Sequence, residues 1–286
     1  MQVLGCDFSS SPSRAKPIVQ ALGTRQGDEV LLTQVRRYTT LLAWQQSLMA
    51  PGPWVGGFDL PFGLPRSLVQ DLGWPLDWAG CMDHYAQLSR ADIRATFARF
   101  CAGRPAGQKL AHRATDGPAG SSPSMKWVNP PVAYMMHAGV PGLRAAGLHL
   151  PGLSPGDTDR VALEAYPGYW ARAVLGRRSY KSDSLPVLDP GQVPRRQARE
   201  AVLDSLVTGH PYAGRLRLRL HPAQRAELVD DPRADALDAV LCLLQAAWAD
   251  QARAAGHPHW GLPDFDPLEG WIVSVPGPAP ASERQA

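Results

Sequence analysis

Val3-Leu4-Gly5-Cys6-Asp7-Phe8-Ser9-Ser10-Ser11 is an apolar run closed by one aspartate and then by three hydroxyl residues. A run this short, bounded by turn residues, suits a buried strand better than a helix. Asp7 therefore stands where an apolar element meets solvent. Further along, Trp54-Val55-Gly56-Gly57-Phe58-Asp59 repeats the pattern and is followed by Leu60-Pro61-Phe62-Gly63. Near the C-terminus, Asp235 and Asp238 lie three apart in an Ala/Leu-rich stretch predicted to be helical. Residues at that spacing share one side of a helix, so both carboxylates face the same way.

Each acid alone has an ordinary explanation. Asp7 and Asp59 suit turns in which the side chain accepts from following amides. Asp231 or Asp235 suits a helix N-terminus, where acids cap and oppose the dipole. Capping explains Asp238 less easily, because it falls one turn inside. Together, three separate segments each bring a carboxylate to the end of an apolar element. Magnesium takes oxygen ligands and keeps waters, so a few such carboxylates suffice. Two such ions about 3.5–4 Å apart activate water and stabilise the leaving oxygen of a phosphodiester.

The flanking sequence predicts the frame. Strands are expected at 2–7, 17–22 and 29–38, then a helix from Thr39 or Thr40 to about Met49 and a strand at 54–58. Hairpin strands followed by a helix and a returning strand imply a mixed sheet covered by helices. Residues 64–159 change character, with helices expected at 67–72, 82–88 and 90–101 and another beginning within 131–138. Between them, the Gly/Ser/Pro-rich stretch 114–129 is expected to hold no regular structure and to suit a lid. A strand at 160–166, ended by Pro167, precedes helices near 168–175, 195–208, 222–228 and 234–249. The expectation is one α/β domain over 1–275, with a core of 1–63 and 160–275, a largely helical insertion at 64–159 and a disordered tail at 276–286.

Composition limits the function classes. The apolar fraction of 44% and charged fraction of 19% are those of a globular chain, and a net charge of +3 does not by itself argue for nucleic acid. Charge is uneven, however: residues 170–225 carry eleven Lys or Arg against four Asp or Glu. Arg177, Arg178 and Lys181 from that stretch are candidate phosphate contacts, against the plainer reading of a solvated helix surface. The four cysteines form no C-x-x-C pair, and Cys6 and Cys242 read as buried thiols. Asp7 interrupts any signal-peptide core and no run has the length of a membrane span, so a soluble, cytoplasmic protein without a membrane partner is expected. Gly103–Lys109 resembles a phosphate loop but lacks Gly-Lys-Ser/Thr and a preceding strand, and no nucleophile elbow is present. No histidine is singled out as a ligand.

The order strand-Asp, hairpin strands, helix, strand-acid, insertion, strand and helix with Asp-x-x-Asp resembles the RNase H-like fold, and RuvC-type resolvases in particular. More closely, Gly5-Cys6-Asp7, Gly57-Phe58-Asp59-Leu60-Pro61-Phe62-Gly63-Leu64-Pro65, Glu164-Ala165-Tyr166-Pro167 and Asp235-Ala236-Leu237-Asp238-Ala239 resemble a widespread domain of unknown function, family 429, described as RNase H-like nucleases. The resemblance implies an RNase H-like mixed sheet and cleavage of nucleic acid, DNA or RNA, with Mg²⁺ or Mn²⁺. It implies that Asp7 bridges two ions and that Asp59, Asp235 and Asp238 complete the ligands. Many such nucleases carry Glu where this chain has the shorter Asp59. Glu164 is carried as a fifth acid, its plain alternative being a buried glutamate paired with an arginine such as Arg172. Two other readings are an actin-like kinase, suggested by Gly5-Cys6-Asp7-Phe8-Ser9 but lacking a second phosphate loop, and a binding module that keeps the fold without catalysis.

Overall fold

The computed structural model describes residues 1–182 and 191–278. Strands β1 (Gln2–Asp7), β2 (Ile18–Gln26) and β3 (Glu29–Tyr38) form an antiparallel meander. Helix α1 (Leu41–Ser47), capped by the Thr40 hydroxyl accepting from the Ala43 amide, leads to β4 (Trp54–Asp59). β4 lies parallel to β1, so the chain returns through a helical crossover. β5 (Leu148–His149), β6 (Asp157–Glu164) and β7 (Arg217–Arg219) complete a seven-stranded mixed sheet in the order β5-β6-β4-β1-β2-β3-β7.

Residues 64–159 supply α2 (Arg66–Asp71), α3 (Trp78–Gln87), α4 (Arg90–Ala102), α5 (Asp116–Ala119) and α6 (Val132–Ala145). Ser89 and Asp92 form a capping box that starts α4. The indole of Trp78 donates to the Phe62 carbonyl at 2.6 Å and ties α3 to the chain leaving β4. After β6 come α7 (Pro167–Leu175), α8 (Gln192–Thr208), α9 (Pro222–Asp230) and α10 (Asp235–Ala254).

The stretch 114–129 is not wholly irregular, since α5 makes one helical turn anchored by Asp116. The strand expected at 160–166 begins three residues earlier and ends at Glu164. Pro167, expected only to end that strand, opens α7, where a missing N–H costs nothing. Of the expected disordered tail, residues 279–286 lie outside the described residues.

Alternation along the strands divides the core into layers. Val3 and Val19 join Trp170, Leu203, Leu237, Val240 and Leu244 on the face covered by α7, α8 and α10. Leu4, Cys6 and Phe58 face the other way, toward Trp44, Tyr85, Phe97 and Met136 from α1, α3, α4 and α6. A third group, Val55, Val161 and Leu163 with Cys242 and Ala246, fixes the flank of α10 against β4 and β6. Each large apolar side chain so buried contributes roughly 1.5–3 kcal/mol.

Two glycines set how deeply α10 packs. Gly5 and Gly57 are register partners in β1 and β4. A Cβ on Gly5 would fall 2.1 Å from the Ala239 carbonyl oxygen and 2.1 Å from the Leu243 nitrogen, and one on Gly57 2.4 Å from the Cys242 oxygen. Helix backbone therefore rests directly on strand backbone, which only glycine permits.

Candidate metal centre

Asp7 and Asp59 end the parallel neighbours β1 and β4 and are paired in register. They share the strand parity of Gly5 and Gly57, so they leave the sheet on the side of α10. On that helix Asp235 and Asp238 lie on the stripe continued by Cys242 and Ala246, the residues that meet the sheet. The N-terminus of α10 thereby meets the C-terminal ends of β1 and β4. Ala234, fully buried before the helix, adopts a left-handed conformation with φ 61°. That strain, of order 1–3 kcal/mol, turns the chain so that Asp235 begins the helix over the strand ends.

Asp7, Asp59 and Asp235 line one cleft of about 590 Å³, together with Ser9–Ser11 and the basic residues Lys16, Arg90, Lys181 and Arg233. Asp238 is buried beneath them at 1% exposure. Its two oxygens accept from the Tyr180 hydroxyl at 2.6 Å and from Lys181 Nζ at 2.5 Å. Tyr180 and Lys181 are held in turn by Arg199, which donates to the Tyr180 carbonyl at 2.9 Å, and by the Ser182 amide, which donates to the Pro232 carbonyl. Lys181 is the cation set among the aspartates, and its side chain is half-exposed.

Electrostatics follow from that crowding. Burial pushes the Asp7 carboxyl well above its ordinary value, and Asp238, Asp235 and Asp59 push it further, while Lys181 opposes them. Asp59 is raised to about 7, chiefly by burial, with Lys181 pulling it down and Asp238 pushing it up. Asp235 rises to about 6 through burial and the charges of Asp231 and Asp238. Burial disfavours the Lys181 ammonium, yet Asp238, Tyr180 and Asp7 outweigh it and hold its pKa well above the usual range. Four carboxylates gather here with four basic side chains, and among the described residues only Lys181 and Asp238 pair directly.

The donors are hard carboxylate oxygens with no thiol or imidazole, a set suited to Mg²⁺ or Mn²⁺. As the side chains lie, no group of three or more His, Cys, Asp or Glu among the described residues is close enough together to hold a metal ion. Lys181 spans to Asp238 instead. The chemistry of the set fits a divalent cation, and its positioning is that of a site whose cation is an ammonium.

Glu164 stands apart from the four aspartates. It ends β6 in register with Phe58 and so leaves the sheet on the opposite face. Its partner is an arginine, but Arg113 rather than Arg172. Arg113 Nη2 donates to Oε1 at 2.7 Å and Nη1 to Oε2 at 2.8 Å, and the Phe62 amide adds a third bond at 2.9 Å. The remaining Arg113 donors go to Asp116 and the Glu269 carbonyl, so five bonds use all five N–H groups. Arg172 instead donates to the Ala119 carbonyl and to the Tyr166 hydroxyl.

Arg177 and Arg178 are exposed on a second cleft of about 390 Å³ that also reaches Asp59 and Lys181. A third, of about 400 Å³, runs from Asp59 and Lys181 toward Tyr166 and Met135. Asp59 and Lys181 thus stand where all three clefts meet. Lys16, Arg90 and Arg233 escaped sequence reasoning because they come from three distant segments with no shared pattern. His84, His112 and His137 line none of these clefts. Among the described residues no helix is long and apolar enough to cross a membrane. No family model, curated protein or solved structure matches the chain.

Proposed function

We propose that this protein is a metal-dependent nuclease of RNase H-like type, hydrolysing phosphodiester bonds of nucleic acid. The observation that carries the reading is the meeting of Asp7, Asp59 and Asp235, from two strand ends and one helix start, in a cleft rimmed by Lys16, Arg90, Lys181 and Arg233, with Asp238 buried beneath and bonded to Lys181. The element order, with an acid ending β1, a hairpin, a helix, an acid ending β4 and a final helix bearing Asp-x-x-Asp, supports the RNase H-like assignment.

In this reading the four aspartates hold Mg²⁺ or Mn²⁺, which supplies Lewis acidity toward the phosphodiester and makes a water acidic enough to attack. The protein's own groups do the rest. The rim cations attract and seat the phosphate backbone. Lys181, at the junction of three clefts, is placed to transfer its charge from Asp238 to a phosphate oxygen when substrate arrives. Tyr180 keeps one Asp238 oxygen fixed by its 2.6 Å bond, so that residue presents its other oxygen to the site. Ser9 and Ser10, nearly buried beside Asp7, line the cleft floor with hydroxyls.

The test compares wild type with Asp7→Asn and Asp59→Asn on labelled single-stranded, duplex and branched DNA and on RNA, in Mg²⁺ and in Mn²⁺. Wild type cleaves at least one substrate only with metal, and both variants lose that cleavage. Absence of wild-type cleavage on every substrate, or full cleavage by Asp7→Asn, overturns the reading.

A further inference from the structure

The third cleft differs in character from the acidic one it adjoins. Its walls are mainly apolar, with Pro61, Val132, Met135, Tyr166 and Ile272 among them, while the paired Arg113 and Glu164, with Ser121 and Ser122, supply polar edges. Its volume of about 400 Å³ falls at the low end of the roughly 300–1,000 Å³ found for small-ligand pockets. Tyr166 lines this cleft and the Arg177/Arg178 cleft alike. It is partly exposed, and its orientation is fixed on several sides. The backbone amide donates to Gln245 Oε1 at 3.1 Å, the hydroxyl accepts from Arg172 Nη2 at 3.2 Å, and the Arg172 guanidinium lies 6.0 Å from the ring centroid. The ring also packs over Gly168, where a Cβ would come within 2.7 Å of Cζ and of the hydroxyl oxygen.

Resting on the nuclease reading, we infer that this cleft is a nucleobase slot: it receives one unstacked base of the substrate, with Tyr166 as stacking platform, while the neighbouring phosphate lies at Asp59 and Lys181. The argument is one of continuity and chemistry. A phosphate held between Asp59 and Lys181 lies at the mouth of an apolar slot, and the flat apolar group that a nucleic acid carries beside each phosphate is its base. An aromatic ring backed by a guanidinium is the pairing that holds bases in single-strand sites. A base inside a duplex is stacked and paired and cannot enter, so the slot selects single-stranded or extruded nucleotides. The Glu164-Ala165-Tyr166-Pro167 motif then has two uses, Glu164 fastening the insertion and Tyr166 facing the substrate.

The test measures binding of fluorescein-labelled single-stranded ten-nucleotide DNA and RNA in Ca²⁺, with an abasic position moved along each strand. For wild type, one abasic position weakens binding on the order of tenfold, as expected for loss of one base–aromatic stack, and a blunt duplex binds more weakly than the single strand. Tyr166→Phe keeps the discrimination and Tyr166→Leu loses it. Val132→Trp, which narrows the slot from the start of α6 and leaves Tyr166 unchanged, loses it too and serves if Tyr166→Leu fails to fold. Equal binding of intact and abasic strands at every position, by a wild type that still cleaves with metal, overturns the slot and leaves the nuclease reading standing. Failure to bind any strand, together with absence of metal-dependent cleavage, overturns both.

Discussion

Two groups of buried and half-buried acids flank β4 and β6, one on each face, and the fold treats them oppositely. On the insertion side, every oxygen of Glu164, Asp116 and Glu269 has a donor: Arg113 serves Glu164, Asp116 and the Glu269 carbonyl, and the amides of Phe62, Arg66, Arg113 and Ala114 reach the carboxylates. On the α10 side, no donor among the described residues bonds the carboxylates of Asp7, Asp59 or Asp235, and Lys181 and Tyr180 reach only Asp238. Burial alone therefore says little about an acid's role; the number of donors it finds says more. A carboxylate already bonded at both oxygens and paired with a guanidinium has little to gain from a cation. An unsaturated, mutually repelling set is costly in the free protein and ready for a cation.

The largest effect that sharpens this contrast is expected on the saturated side. Arg113→Ala leaves Glu164 and Asp116 buried without a counter-charge, a loss of about 3–5 kcal/mol, read by denaturant unfolding at neutral pH. The variant should still bind metal if it folds. A loss below about 1 kcal/mol would mean that the cluster behaves as a surface pair and that the contrast is false.

A smaller effect of opposite origin belongs to the aspartates. In chelator, the folded state holds the Asp59 proton up to about pH 7, whereas the unfolded chain releases it near its ordinary value. The stability this group contributes is complete below about pH 4 and is lost as pH rises through 7. The decline is on the order of a few kcal/mol, and Asp59→Asn should flatten it. With Mg²⁺ the trend should reverse, because metal binds the deprotonated acids. Thermal unfolding from pH 4 to 8, with and without metal, decides the sign. Stability that rises with pH in chelator would place the Asp59 proton wrongly.

Smallest is the effect of Lys181→Met. The Lys181 side chain is half-exposed and Asp238 keeps the Tyr180 hydroxyl, so losing the contact should cost only about 1 kcal/mol without metal. Removing a competitor for Asp238 should move the Mg²⁺ midpoint of thermal stabilisation to lower concentration. A midpoint moved the other way would make Lys181 an aid to metal binding rather than its rival.

Much of the frame is legible in the sequence because its signals are local. Short apolar runs closed by an acid mark β1 and β4, Thr40 announces α1, and the apolar run after Asp235 announces α10. The edge strands β5 and β7 are not legible, since two and three residues of ordinary sequence become strands only by pairing. The side to which Glu164 points is also hidden. It depends on β6 pairing Glu164 with Phe58 and not with Asp59, a one-residue difference in register that exchanges the faces. Arg113 lies 51 residues from Glu164, and no periodicity links the two. The four aspartates are nameable because three stand at the ends of elements and Asp238 shares a helix face with Asp235, whereas the cations around them come from separate segments.

The glycine seat of α10 has a consequence for how this chain can vary. The span between the acids of the helix and those of the strands is set by main chain touching main chain at Gly5 and Gly57, without rotamers between them. Core side chains elsewhere can be exchanged, and the gap stays the same. A single methyl group at either glycine lifts the helix and moves two carboxylates together, as a calliper opens at one hinge. The dimension on which the chemistry depends is thus inherited separately from the packing that makes the protein stable, and a lineage can drift widely in its core while this opening stays fixed.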